Sequence, residues 1–151
     1  MFRKAYFMTR KKFKWLLVIA WMILIFWFSS MPATISDEKS HFVIYVFNLL
    51  CLNLNSVFGD LANFIVRKCA HFSEYFILFM LLYNAYKEYL PKKRALILSL
   101  LSVFLYASTD EFHQLFVPGR EGRIRDVLID TSGGALAMII CYFIRSKKTL
   151  R

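Results

Sequence analysis

Three short stretches of the chain carry ionisable side chains at helical spacing inside otherwise apolar sequence. The first reads Arg67-Lys68-Cys69-Ala70-His71-Phe72-Ser73-Glu74-Tyr75. Lys68, His71 and Glu74 follow one another at three-residue steps, so a helix carries them on one face. At about 1.5 Å of rise per residue, Glu74 stands roughly 9 Å beyond Lys68 along the axis. The second stretch is Ser108-Thr109-Asp110-Glu111-Phe112-His113-Gln114. Asp110, His113 and Gln114 share a face there, whereas Glu111 points about 100° away. The third opens Asp126-Val127-Leu128-Ile129-Asp130. Its two carboxylates lie at i, i+4, and Gly133, Gly134 and Ala137 continue near that face, where small residues let helices approach closely. The connector Val117-Pro118-Gly119-Arg120-Glu121-Gly122-Arg123-Ile124-Arg125 is rich in turn residues and sets three guanidiniums beside these acids.

Such residues support two kinds of chemistry. Basic side chains hold anions, and a guanidinium such as that of Arg120 grips phosphate or carboxylate through two parallel hydrogen bonds. Glu74 or Asp110 as general base, with His71 as proton shuttle, would serve acid–base catalysis. The plain structural alternative is a buried ion-pair network that fixes helix register, with His113 a satisfied interfacial histidine and Arg120, Arg123 and Arg125 in a solvated loop or at lipid headgroups. His71-x-x-Glu74 and Asp110-x-x-His113 also match the i, i+3 spacing of carboxylate-bridged metal bundles. Lys68 would oppose a cation there, so no metal is expected. No cofactor fingerprint, phosphate loop or nucleophile motif occurs, and no cofactor is expected.

The elements that position these residues are membrane helices. The chain has 151 residues, of which 58% are hydrophobic and 20% charged, with the charges in blocks between apolar runs; the mean hydropathy is +0.48. That is too apolar for an ordinary soluble domain. The expected fold is an all-α integral membrane domain with four transmembrane helices, at about 14–31, 67–87, 94–117 and 126–144. An amphipathic interfacial helix is expected at about 41–58, where His41, Asn48 and Asn55 recur every seven residues; a fifth span is the alternative. The basic run before Trp15 resembles a secretory signal, but Phe26, Trp27 and Phe28 keep the apolar run bulky to its end, which favours a retained anchor. Cys51, Cys69 and Cys141 show no metal spacing; buried free thiols are expected, with a Cys51–Cys69 bridge as the alternative.

The net charge is +10, but its placement argues against nucleic acid as a partner. With four spans, fourteen of the twenty basic residues fall on one side, in residues 1–14, 87–94 and 145–151. The positive-inside rule then puts both termini in the cytoplasm. Nine of the ten acids, all but Glu88, lie on the outer side or in the outer ends of the spans. Charged groups cost about 2.5–3.5 kcal/mol each at a helix centre, so they must face one another or a water-filled cavity. A polar site open to the outer face is therefore expected.

The linked motifs Lys68-x-x-His71-Phe72-x-Glu74-Tyr75, Asp110-Glu111-x-x-Gln114, Pro118-Gly119-Arg120 and Asp126-x-x-x-Asp130-x-x-Gly133 resemble the signature of the VanZ-like membrane proteins, over essentially the whole chain. Phe28-Ser29-Ser30 is similar to the family as well; Met31 stands where the family often has Gln. The resemblance implies a multi-pass protein of the bacterial plasma membrane and a link to resistance against teicoplanin, a lipidated glycopeptide. Lys68, His71, Glu74, Asp110, Glu111, Gln114, Arg120, Asp126 and Asp130 are the expected ligand-binding residues, with Glu74, Asp110 and His71 catalytic if the protein is an enzyme. Two main functional classes remain open: binding of an envelope lipid, lipidated glycopeptide or cell-wall lipid precursor, and an enzyme acting on a lipid-linked substrate. A small transporter, which would need a homo-oligomer, is a third.

Overall fold

The computed structural model describes residues 2–38, 45 and 61–146, and all the secondary structure of these residues is helical. Four long helices follow one another: α1 (Phe2–Ser29), α2 (Ala62–Tyr86), α3 (Lys92–Gln114) and α4 (Ile124–Ser146). A further helical stretch at 33–38 follows α1. The expected interfacial helix at 41–58 falls, apart from Tyr45, outside the described residues.

Among the described residues, three stretches are long and apolar enough to cross a membrane: Lys11–Ser29, Lys92–Gln114 and Ile124–Ile144. α2 packs among them, most extensively against α4 and then against α1 and α3. It opens five residues before the expected start, at Ala62, so Arg67 and Lys68 sit in its second turn. Pro91 caps α3, where its missing N–H costs no helical hydrogen bond.

The core gathers around α2. Tyr75, Leu78 and Phe79 are fully buried, and Val18, Ile25, Val103 and Ala137 close on them from the other three helices. The opposite faces are inverted relative to a soluble protein: Leu16, Ile19, Ile23 and Trp27 on α1, and Tyr142, Phe143 and Ile144 on α4, are all more than half exposed. Bare aliphatic and aromatic helix surfaces suit hydrocarbon, where only the backbone must be satisfied internally. Hydroxyls follow the same logic. Ser73, Ser99, Ser108, Thr109 and Ser132 each donate to a carbonyl of their own helix.

Polar ties between helices are few and specific. The Trp21 indole donates to the Glu74 carbonyl (3.0 Å) and the Tyr106 hydroxyl to the Met22 carbonyl (2.6 Å). Gly133 sets the closest crossing. A Cβ there would stand 2.2 Å from the Phe72 carbonyl oxygen, so only glycine lets α4 lie against the α2 backbone.

The four helices alternate in direction, so the N-terminal part of α1 and the last turns of α4 lie at one end of the bundle. The turn between α2 and α3 joins them there: Lys11 donates to the Glu88 carbonyl, Lys14 pairs with the Glu88 carboxylate, and Lys92 donates to the Tyr142 carbonyl. Lys14 holds the Glu88 carboxyl below the usual carboxylate range. Cys69 and Cys141 form no disulfide among the described residues, and Cys69 is exposed rather than buried. Cys51 lies outside the described residues.

Candidate functional site

The end of the bundle away from the termini collects the ionisable residues. Lys68, in the second turn of α2, reaches across to Asp126 in the first turn of α4, with Nζ and Oδ2 2.7 Å apart. An acid suits that first turn because the helix N-terminus is electropositive. One turn further along α2, His71 Nδ1 lies 3.5 Å from Glu74 Oε2. The three-residue spacing thus does place Lys68, His71 and Glu74 on one inward face.

α3 contributes from the other side. Gln114 donates to Ser29 Oγ at the end of α1 (3.0 Å) and to Asp110 Oδ2 (3.4 Å). Asp110 also faces Tyr75, but among the described residues neither its Oδ1 nor the Tyr75 hydroxyl completes a hydrogen bond. Asp130, a turn below Asp126, is almost fully buried, and its Oδ2 has no partner among the described residues. Buried polar groups left in this state cost about 1–3 kcal/mol each, a burden that packing alone does not explain. Glu111 points away from this face, as its angle on the helix requires, yet it is buried and accepts from the Arg123 backbone N–H at 3.0 Å. It thereby fixes the connector before α4. His113 packs its ring on Phe26, with centroids 4.5 Å apart, and stands apart from the His71–Glu74 pair.

The connector folds back over the end of α1. Gly119, at φ +73°, makes the turn that a side chain would strain, and the Ala33 N–H donates to the Pro118 carbonyl (3.2 Å). Arg120 then donates from Nε to the Met31 carbonyl (3.1 Å) and from Nη2 to the Phe28 carbonyl (3.4 Å). Burial, with Arg67 as a like-charged neighbour, pushes the Arg120 guanidinium below its ordinary value. Arg67 binds Asp37 at 2.9 Å and so ties the 33–38 stretch to α2.

These contacts enclose a cavity of about 180 Å³. Arg67, Lys68, His71, Arg120, Arg123 and Arg125 line it, with Gln114, Glu121 and Asp126 among the remaining walls. Of the expected site residues, Lys68, His71, Gln114, Arg120 and Asp126 border this cavity. Glu74, Asp110 and Asp130 lie deeper in the bundle, and Glu111 borders a second hollow described below. Among the described residues no three His, Cys, Asp or Glu side chains come together as a metal-binding group. Sequence spacing did not single out Arg67, Ser29 or Tyr75 as site residues. Arg67 adjoins Lys68, and the other two sit inside quoted motifs, so position was the only available signal.

Fold and site together define a small helical membrane protein with a charge-lined cavity at one end of its bundle. A family model described as VanZ/LLP1 matches residues 13–145; the chain belongs to the VanZ/LLP1 family. Comparison with curated proteins and with solved structures gave no match.

Proposed function

We propose that this VanZ-family protein is a four-span protein of the bacterial plasma membrane, with both termini cytoplasmic, whose cavity binds the anionic group of an envelope lipid or lipidated glycopeptide at the outer leaflet. One observation carries the reading: five basic side chains converge on a cavity whose walls hold two carboxylates, Glu121 and Asp126. Like charges gathered in a partly desolvated space repel, and an anion relieves that repulsion. The basic residues near both termini and in the α2–α3 turn support the orientation. Lys68, Arg120 and their neighbours hold the anion, while Asp126 and Gln114 fix their positions. α2 is the second of the four spans; its charged first turns lie where the cavity meets the interface.

The test is lipid retention by the purified protein. Wild type should retain anionic lipids in preference to phosphatidylcholine, and Lys68→Ala and Arg120→Ala should each abolish that preference. Indifference of the wild type to lipid charge would sink the reading. A deletion strain compared with its parent for teicoplanin susceptibility and lipid profile tests the link to resistance.

A second reading, turnover of the bound lipid, is favoured by the His71–Glu74 pair. His71 reaches the cavity and Glu74 lies behind it, with His71 Nδ1 and Glu74 Oε2 3.5 Å apart and neither atom hydrogen-bonded among the described residues; closed to hydrogen-bond distance, the carboxylate would orient the imidazole for proton transfer. Equal conversion of membrane lipid extracts by wild type and Glu74→Gln would exclude it.

A further inference from the structure

A second hollow lies beside the basic cavity. It is an apolar groove of about 350 Å³ between the last turns of α3 and the first turns of α4. Phe104, Phe112, Leu115, Val127 and Leu128 supply most of its wall, and Ser108 lies along it. Phe112, Leu115 and Leu128 are each more than half exposed on the flank of the bundle that hydrocarbon would cover. Arg123 borders both hollows. Its backbone N–H is pinned by Glu111, which also lines the groove.

The charge balance of the cavity narrows the ligand further. Arg67, Lys68, Arg120, Arg123 and Arg125 face Glu121 and Asp126, and Asp37 on Arg67 adds a third carboxylate. Among the described side chains that line the cavity or pair with its lining, cations outnumber carboxylates by five to three. Among the described residues, Arg120 donates to the backbone carbonyls of Met31 and Phe28 and forms no ion pair with an acid. A phosphodiester headgroup brings one negative charge. A phosphate monoester brings about 1.5 to 2 at neutral pH and has three free oxygens for charge-assisted hydrogen bonds.

From this juxtaposition we infer that the ligand is a lipid phosphate monoester, its terminal phosphate in the basic cavity and its hydrocarbon chain in the α3–α4 groove. The inference rests on the anion-binding reading above and adds to it the headgroup class and the path of the chain. The lipid enters sideways from the leaflet: the chain slides between the exposed apolar residues, and the phosphate turns inward past Arg123.

The full chain in detergent is offered phosphatidic acid, a monoester, against phosphatidylglycerol, a diester with the same acyl chains, and lipid retention is read by native mass spectrometry. Phosphatidic acid should be retained at least about tenfold more strongly, the equivalent of one additional charge-assisted hydrogen bond. Ser108→Trp, which fills the groove, should weaken phosphatidic acid retention about tenfold, the effect of losing contact with a few methylenes. It should leave direct binding of soluble glycerol phosphate unchanged. Leu128→Trp provides a second obstruction, and glycerol phosphate binding shows that either variant is folded. Equal retention of the two lipids overturns the monoester assignment while leaving anion binding intact; failure to retain either overturns both. Unaltered phosphatidic acid retention by the two tryptophan variants, or displacement of the lipid by inorganic phosphate at equal concentration, overturns the chain path.

Discussion

The two ends of this bundle use the same charged residue types in opposite ways. At the end with the termini, Lys14 and Glu88 form one partly exposed pair, and Lys11 and Lys92 reach main-chain carbonyls of the turn and of α4. At the other end lie all the buried acids found among the described residues, Asp110, Glu111, Asp126 and Asp130. Charges at the first end remain near water, where screening keeps each pair weak. The four acids at the second end are withdrawn from water, so removing the group that pairs with one of them strands a buried carboxylate. The first arrangement is what the proposed orientation in a membrane calls for; the second maintains a costly, partly unsatisfied polar interior.

Substitutions can break that contrast. Lys68→Ala leaves Asp126 without its 2.7 Å partner and should cost about 3–5 kcal/mol of stability, measured by thermal unfolding in detergent. Lys14→Ala, at the opposite end, is the matched control; equal losses would erase the distinction between the ends. Gly133→Val forces a side chain into the Phe72 carbonyl and should cost about 1–3 kcal/mol or more, with helix separation visible in crosslinking between α2 and α4. Gln114→Ala removes the link between Ser29 and Asp110. It should cost about 1–3 kcal/mol because a buried carboxylate loses a donor, and Gln114→Glu should be worse by adding charge. The smallest effect belongs to Glu88→Gln, at no more than about 1 kcal/mol. Its pH dependence is a separate check. Lys14 depresses the Glu88 carboxyl in the folded protein, so the wild-type contribution is present above the ordinary carboxylate pKa and disappears as pH falls through the lowered one. Glu88→Gln should therefore resemble wild type in strong acid and differ from it near neutrality.

Much of this architecture was legible in the residues. Apolar runs of about 20 residues between basic blocks announce membrane helices, because hydrocarbon thickness and the cost of charge insertion act on any such segment. The i, i+3 and i, i+4 spacings put Lys68 with His71 and Glu74, and Asp126 with Asp130, since helical periodicity alone decides which side chains share a face. The same geometry turned Glu111 away from Asp110 and toward the connector. Its partner was not legible: the Arg123 N–H comes to Glu111 only because the 117–123 turn folds back across α3.

Helix periodicity determines local faces, but not which faces meet. The sequence by itself determined the membrane class, the polar stretches and the small residues Gly133, Gly134 and Ala137 that permit a close approach, while the packing decided that Gly133 meets the Phe72 carbonyl. Only the packing of four helices decided that Lys68 pairs with Asp126, that Ser29 meets Gln114, and that Arg67 joins Arg120 at one cavity. Those partners lie tens of residues apart, and their contacts depend on interhelical distance and rotation. Tertiary structure likewise separated the expected residues into two depths, with Lys68, His71, Gln114, Arg120 and Asp126 at the cavity wall and Glu74, Asp110 and Asp130 behind it. That division follows from the close approach of α2 and α4 at Gly133, which no one-dimensional spacing encodes.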